Sequence, residues 1–448
     1  MKYKSKKFNI TQHINKDFRD YAIYTLQARG IPSFDDGLTA VQRIILKNAK
    51  ASTEKTLSLV GSCISSGYAH GDSSLAGAIS RLAREFNSAE NLLEGKGFWG
   101  SPVVHEAAAA RYTSIKMNPK IKPLFKYEFL DEQIDEVWQP LHFDVPIGLS
   151  TMTMGIAVGY KSLILPRKIQ DIQRFMDGNL KTVKPFFKNF SGKVSKHKLG
   201  WLITGSYTVD KNKRVIHVND IPHLLKYSTF LSKLLKDFDS NELSCKVKND
   251  SAKVVDLKIV YKDSEFKKVL DIVEKHIKIL VQETIVFVIG NSVITYKCIE
   301  DYLTDYKIRI HEIKAKEAAY YFELETFNLA YEKAKLKFLK FMTKKRTRTE
   351  VTEFLKQFES RISTKLDAIK LTRLNNETIK ETEAEIKRLE KLVVVNKKEA
   401  NRLTKVYEKA KSKFVFSGSI AHAEHNTEEE PEEINGIPVF HFDEIEEE

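Results

Sequence analysis

Three cysteines in 448 residues, Cys63, Cys245 and Cys298, are too few and too scattered for a disulfide framework, and their odd number leaves one unpaired. A reducing compartment is the expectation. Met1 to Asn9 is basic, but no apolar h-region follows it, so no signal peptide is expected. The apolar stretch from Ile279 to Cys298 is interrupted by Gln282, Glu283 and Asn291 and reads as paired strands, not as a membrane span. The sequence has no Walker A motif and no carboxylate cluster suited to a divalent metal. Asp237-Phe238-Asp239 has the look of a metal pair. It closes a predicted helix and lacks an upstream carboxylate on a strand, so it reads as a loop. Gly95-Lys96-Gly97-Phe98-Trp99-Gly100 matches the dinucleotide pattern literally. Ser101-Pro102 follows where that fold needs a helix, which excludes a Rossmann site.

What is present in quantity is positive charge. Hydrophobic residues make up 42% of the chain, enough for real cores in two or three domains. The net charge is +13, from 73 basic and 60 acidic residues. From His422 onward there are 11 acidic residues and no Lys or Arg, so the rest of the chain carries +24. A body that basic calls for a polyanionic partner, with nucleic acid ahead of a membrane surface.

The chemistry-bearing stretch is Ala107-Ala108-Ala109-Ala110-Arg111-Tyr112-Thr113. Four alanines favour a helix with Arg-Tyr packed at its end. The pair has a second use. A phenol titrates near pH 10 and is a poor nucleophile unaided, but a neighbouring guanidinium can hold a phosphate and stabilise charge on its oxygens. Upstream stand Arg29-Gly30-Ile31-Pro32-Ser33-Phe34-Asp35-Asp36-Gly37-Leu38-Thr39-Ala40-Val41-Gln42-Arg43, then Gly67-Tyr68-Ala69-His70-Gly71-Asp72-Ser73, then the glycine-rich run to Ser101. Downstream is Gly155-Ile156-Ala157-Val158-Gly159-Tyr160.

That ordered series resembles the breakage-reunion subunit of type IIA DNA topoisomerases. The length and lack of other catalytic domains are most like the medium-subunit branch of T-even-type bacteriophages. The resemblance implies that Tyr112 is the nucleophile, that Arg111 and Arg43 stabilise the phosphate and that His70 hydrogen-bonds near it. It implies DNA contacts at Arg29, Ser73, Lys161 and Ile156, the last an apolar wedge that unstacks and kinks a duplex. Thr39-Ala40 stands where the family usually has Lys-Pro, and Thr151-Met152-Thr153-Met154 replaces its usual Asn-Gly turn. Mg²⁺ and ATP are implied to bind a B-type (large) partner subunit, with none on this chain. Double-stranded DNA and a second copy of the chain are the other implied partners. The implied location is cytoplasmic, in the host if the source is a phage. A DNA-wrapping domain of the gyrase kind is not expected after Phe414.

From Lys161 to Gly200 there are 10 basic and 2 acidic residues, interleaved with Phe175, Phe186, Phe187 and Phe190, a density that suits a phosphate-tracking surface. Strands are predicted at Trp201–Ile203, Val215–Val218 and Val254–Tyr261, and a helix at Leu224–Leu235. Beyond Leu303 the apolar residues fall into heptad-like stripes. One runs from Leu303 to Phe341, broken at Glu317, and one from Ile386 to Phe414, broken at Asn396. The expected fold class is multidomain α+β. It comprises an N-terminal arm (1–30), a winged-helix cleavage domain (31–160), an α/β tower domain (161–300) and an antiparallel coiled coil with a terminal globule (301–416). A disordered acidic tail (417–448) follows. A non-catalytic, chromosome-organising coiled-coil protein would also account for the charge and heptads, but not for the motif series.

Overall fold

A computed structural model describes residues 18–124, 143–290, 292–369, 376–412, 418–421, 433–434 and 437–438. The chain divides into two compact units, Met1–Lys307 with Phe416–Glu448, and Ile308–Val415. The architecture is mixed α+β. In the first unit, helix α1 (Arg19–Thr25) runs into a wider π-helical turn, Leu26–Gly30. A tight turn follows, in which Gly37 takes a φ of 70° and the Asp36 carboxylate accepts the Leu38 amide at 2.8 Å. Helix α2 (Ala40–Asn48) then starts with the Gln42 side chain accepting the Thr39 amide at 2.9 Å, half of a capping box. Strand β1 (Glu54–Lys55), α3 (Thr56–Ser65) and α4 (Asp72–Ala83) come next. Apolar residues three and four apart, Leu59, Val60 and Cys63 on α3 and Leu75, Ala78, Ile79 and Leu82 on α4, are the buried faces. Each buried Leu or Ile contributes roughly 1.5–3 kcal/mol. Strands β2 (Leu93–Lys96) and β3 (Ser114–Met117) complete an antiparallel sheet in the order β1-β3-β2. The segment bearing Tyr112 feeds directly into the central strand.

The hairpin β4 (Thr153–Ala157) and β5 (Tyr160–Ile164) turns at Gly159, whose φ is 77°. Its base is set by a backbone crossing: a Cβ on Gly155 would lie 1.7 Å from the Gly30 carbonyl oxygen. After α5 (Ile169–Met176), the lysines of the basic stretch, among them Lys181, Lys184, Lys193, Lys196 and Lys198, face solvent, whereas Phe187 is buried. Strands β6 (Lys193–His197), β7 (Gly200–Thr204), β8 (Ser206–Asp210) and β9 (Val215–Asp220) lead to α6 (Tyr227–Ser240). Then come β10 (Lys246–Asn249), β11 (Leu257–Val260), α7 (Phe266–His276) and β12 (Lys278–Val281). The sheet β10-β11-β9-β8 shares a core with α6 and α7 through Phe230, Leu234, Val269 and Val273, and β12-β7-β6 forms a second sheet. Asp237 belongs to the last turns of α6 and not to a loop, and it accepts a hydrogen bond from His276 at 2.8 Å. Beneath the hairpin, Arg167 is buried and bonded to Glu283, which also accepts the Trp201 indole N–H at 2.9 Å.

The apolar stretch Ile279–Cys298 does form strands: β12, then the hairpin β13 (Ile285–Ile289) and β14 (Ser292–Tyr296). The expected disorder from residue 417 needs correcting at its start. Strand β15 (Ser419–Ala421) pairs antiparallel with β14, because the outer edge of β14 has backbone groups to satisfy. Gly418 fits this docking, since a Cβ there would come 2.5 Å from Ile294 Cγ2. Short β16 (Glu433–Ile434) pairs with β17 (Ile437–Pro438). The rest of the acidic segment, and residues 1–17 of the expected arm, lie outside the described residues.

Helix α8 (Ile299–Phe341) begins in the first unit, where its Tyr302 and Tyr306 hydroxyls donate to the Phe34 and Phe143 carbonyls at 2.8 and 2.7 Å. In the second unit it lies antiparallel to α11 (Asn376–Lys411), as the pairs Lys333–Glu390 (2.7 Å) and Lys340–Glu383 (2.9 Å) require. The α11 stripe of Ile386, Leu389, Val393, Ala400, Leu403, Tyr407 and Ala410 is buried or half-buried, and Asn396 shares that face. Between the long helices, α9 (Arg348–Leu355) and α10 (Ser360–Asp367) form a small globule. Its core includes Phe338, Val351, Leu355, Ile362 and Leu366.

Candidate active site and nucleic-acid interface

The alanine run does not form the helix its composition favours. Ala108 instead donates its amide to the Phe98 carbonyl at 3.0 Å, and only one 3₁₀ turn, Ala110–Tyr112, precedes β3. The next residue explains why. Thr113 is fully buried, its hydroxyl 2.8 Å from that of Thr56, and its carbonyl accepts the Thr56 amide at 3.2 Å. This pins the turn to the start of α3 and leaves Tyr112 69% exposed, with the Arg111 guanidinium 4.9 Å from its ring centroid. An exposed phenol on a rigidly held turn can be approached by a large substrate.

Arg111 and Thr113, on either side of Tyr112, line a groove of about 1490 Å³. His70 and Ser73 line it too, at the start of α4, where the first backbone N–H groups of a helix favour anions. Among the described residues the buried His70 Nε2 has no hydrogen-bond partner, and its ring stands edge-on to Tyr68 at 5.5 Å. Arg81, farther along α4, and Arg84, just past its end, line the same groove. The Arg81 side chain is exposed, yet desolvation by the protein around it lowers its pKa. Burial, and then the neighbouring Arg81, push Arg84 down to about 9. Both guanidiniums stay charged at neutral pH, and among the described residues no carboxylate acts on either. His105 is pushed down to about 4, first by burial and then by Arg84.

Of the residues singled out from sequence, His70, Ser73 and Arg111 thus meet in one groove beside Tyr112. Ile156 lies at the hairpin tip, 45% exposed and paired in register with Lys161. Its neighbour Gly155 lines the groove. The Arg29 side chain is outside the described residues. Arg43 lies on the inner side of its turn. It is 2% exposed, its Nε and Nη2 bond Asp36 at 2.7 and 3.1 Å, and Nη2 also donates to the Leu38 carbonyl at 3.2 Å. Its guanidinium bonds to the turn before α2, and Arg43 is not among the residues that line the groove. Arg81, Arg84 and His105 went unnoticed in the sequence. A signal existed: Ser73, Ser74, Gly77, Ser80, Arg81 and Arg84 are small or basic residues on the side of α4 away from Leu75, Ile79 and Leu82.

The family model that describes the A subunit of DNA gyrase/topoisomerase IV matches residues 29–414. The chain belongs to this family. The DNA topoisomerase medium subunit of Enterobacteria phage T4 is 30% identical over 51% of this chain and 55% of its own length. The DNA gyrase A subunit of Buchnera aphidicola is 27% identical over 50% of this chain and 32% of its own, and that of Staphylococcus aureus 31% over 37% and 20%. The matches therefore span from a fifth to about half of these relatives. In fold, the chain is similar to the DNA-binding, cleavage and re-ligation domain of Plasmodium falciparum topoisomerase II, with a TM-score of 0.71 at 20% identity. That similarity covers 89% of this chain and 64% of the other.

Membership of this family raises the question of a metal. Among the described residues no group of three His, Cys, Asp or Glu side chains is placed to hold an ion. The groove offers mainly cations, with Asp72 and Glu106 as its carboxylates. The donor set does not suit a divalent cation, and no chemical step on this chain is routed through one. Among the described residues no helix is long and apolar enough to cross a membrane.

Proposed function

We propose that this chain is the DNA cleavage and religation subunit of an ATP-dependent type IIA topoisomerase, making a transient double-strand break through which another duplex passes. The observation that carries the reading is Tyr112, exposed beside Arg111 on a turn anchored by Thr113, next to a cation-lined groove. Tyr112 Oη forms a bond to a backbone phosphorus while the bond from that phosphorus to a deoxyribose oxygen breaks. The phenol loses one proton and the leaving oxygen gains one, so the step is balanced and reversible. Exchanging one phosphoester for another conserves bond energy, and breakage itself needs no nucleotide. Arg111 stabilises charge on the phosphate oxygens, and the unpaired His70 Nε2 is available to hydrogen-bond one of them.

Residues 31–160, with α2–α4 and the β1-β3-β2 sheet, serve as the winged-helix cleavage domain. Residues 161–300 serve as the tower that tracks the duplex, with Lys161 and the solvent-facing lysines after it. The wedge is Ile156. The antiparallel helices of 301–416 act as a coiled-coil exit gate in a homodimer, so that two tyrosines cut two strands. A B-type partner subunit would supply the ATPase and the Mg²⁺ site, and Mg²⁺ bound there would offer Lewis-acid chemistry to the phosphate. Relaxation and decatenation are the activities that follow.

The test is the formation of denaturant-resistant protein–DNA adducts with Mg²⁺ and the partner subunit. Tyr112→Phe should abolish adducts and leave duplex binding in place, because only the nucleophilic oxygen is removed. Adducts at unsubstituted levels in that variant would end the assignment.

A further inference from the structure

One part of the groove is not used by the chemistry at Tyr112. Arg84 and His105 both stand on the Phe86 ring, the guanidinium 4.8 Å and the imidazole 5.1 Å from its centroid. Both line the groove. Among the described residues no carboxylate acts on the Arg84 guanidinium, and the His105 Nε2 is buried with no hydrogen-bond partner. Two donors held by one aromatic platform, both lacking an acceptor, are a site short of an anion. We propose that Arg84 and His105 form a second backbone-phosphate subsite of the groove, distinct from the phosphate that faces Tyr112. The inference rests on reading the groove as a duplex-binding surface.

The surroundings favour this ligand. The charged and titratable groups acting on His105 are Arg84, Glu106, His223 and Lys226, and only Glu106 favours its protonated form. A phosphodiester brings a full negative charge and two acceptor oxygens, one for the planar fork of Arg84 and one for His105. Nucleic acid repeats that charge along each strand, so one duplex can meet Arg111 and Arg84 at different phosphates. In the free protein His105 is neutral, pushed down to about 4 by burial and then by Arg84. A bound phosphate raises it again, so binding takes up a proton. Affinity should therefore increase as pH falls through the bound-state pKa toward about 4.

The experiment uses the full chain and a fluorescein-labelled duplex. Arg84→Gln should make the slope of log affinity against log salt shallower by about 1. His105→Gln should flatten the tightening seen between about pH 7 and pH 5. An unchanged slope, or an unchanged pH response, overturns the subsite. If Arg84→Gln does not fold, phenylglyoxal modification of the unsubstituted chain decides the matter. The duplex should protect Arg84, and equal modification with and without DNA overturns the subsite. A chain that binds no duplex at all would instead overturn the functional reading beneath it.

Discussion

At the scale of single residues, an arginine's role depends on its partners and not on its neighbours in sequence. Arg43 and Arg111 both sit in motifs of the same series, yet one is locked to Asp36 and the other leans on an exposed tyrosine ring. Removing one member of a buried ion pair leaves an uncompensated charge, which costs about 3–5 kcal/mol. Arg43→Ala should lower stability by that order in chemical denaturation. A variant of normal stability that had lost only adduct formation would instead place Arg43 in the chemistry. Thr113→Ala should leave the buried Thr56 hydroxyl unpaired, costing about 1–3 kcal/mol, and loosen the turn that presents Tyr112. Denaturation midpoints and adduct yields should fall together. Cys63 is not a rival nucleophile, since burial and then Glu54 push its thiol up to about 11.

At the scale of elements, the hairpin β4–β5 and the turn Leu26–Gly30 form one device. Gly30 and Gly155 cross with backbone in contact, and the crossing holds the hairpin that carries Ile156. If Ile156 is the proposed wedge, Ile156→Ala, which leaves the crossing intact, should lessen the bend in a duplex labelled at both ends for fluorescence transfer. An unchanged bend would count against the wedge. Gly155→Ala should do more, displacing the hairpin because an added Cβ meets the Gly30 carbonyl oxygen. The paired helices α8 and α11 were legible as stripes because burial along one helix face imposes its own period. The single turn at Ala110–Tyr112 was not. Alanine's local preference for helix was overridden by Thr56 and Phe98, partners far away in sequence.

For the whole molecule, charge separates a body of +24 from a segment of 11 carboxylates. Ending the chain near Phe416 should tighten non-specific DNA binding, most at low salt where charge competition is least screened. Equal affinities across a salt titration would dismiss such competition. Because truncation also removes β15, the comparison needs a second variant that keeps Ser419–Ala421 and neutralises the acidic residues after it. The sequence by itself determined the excess of positive charge, the amphipathic helices and the segment in which an arginine and a tyrosine stand together. These depend on composition, periodicity and local order, which survive without knowing what touches what. Only the tertiary structure decided which cations are free for a phosphate. It buried Arg43 against Asp36 and assembled Arg81, Arg84, His105 and Arg111 in one groove from separate stretches of chain. A charge's availability depends on its spatial partners and its access to water, and neither is written in its place along the chain.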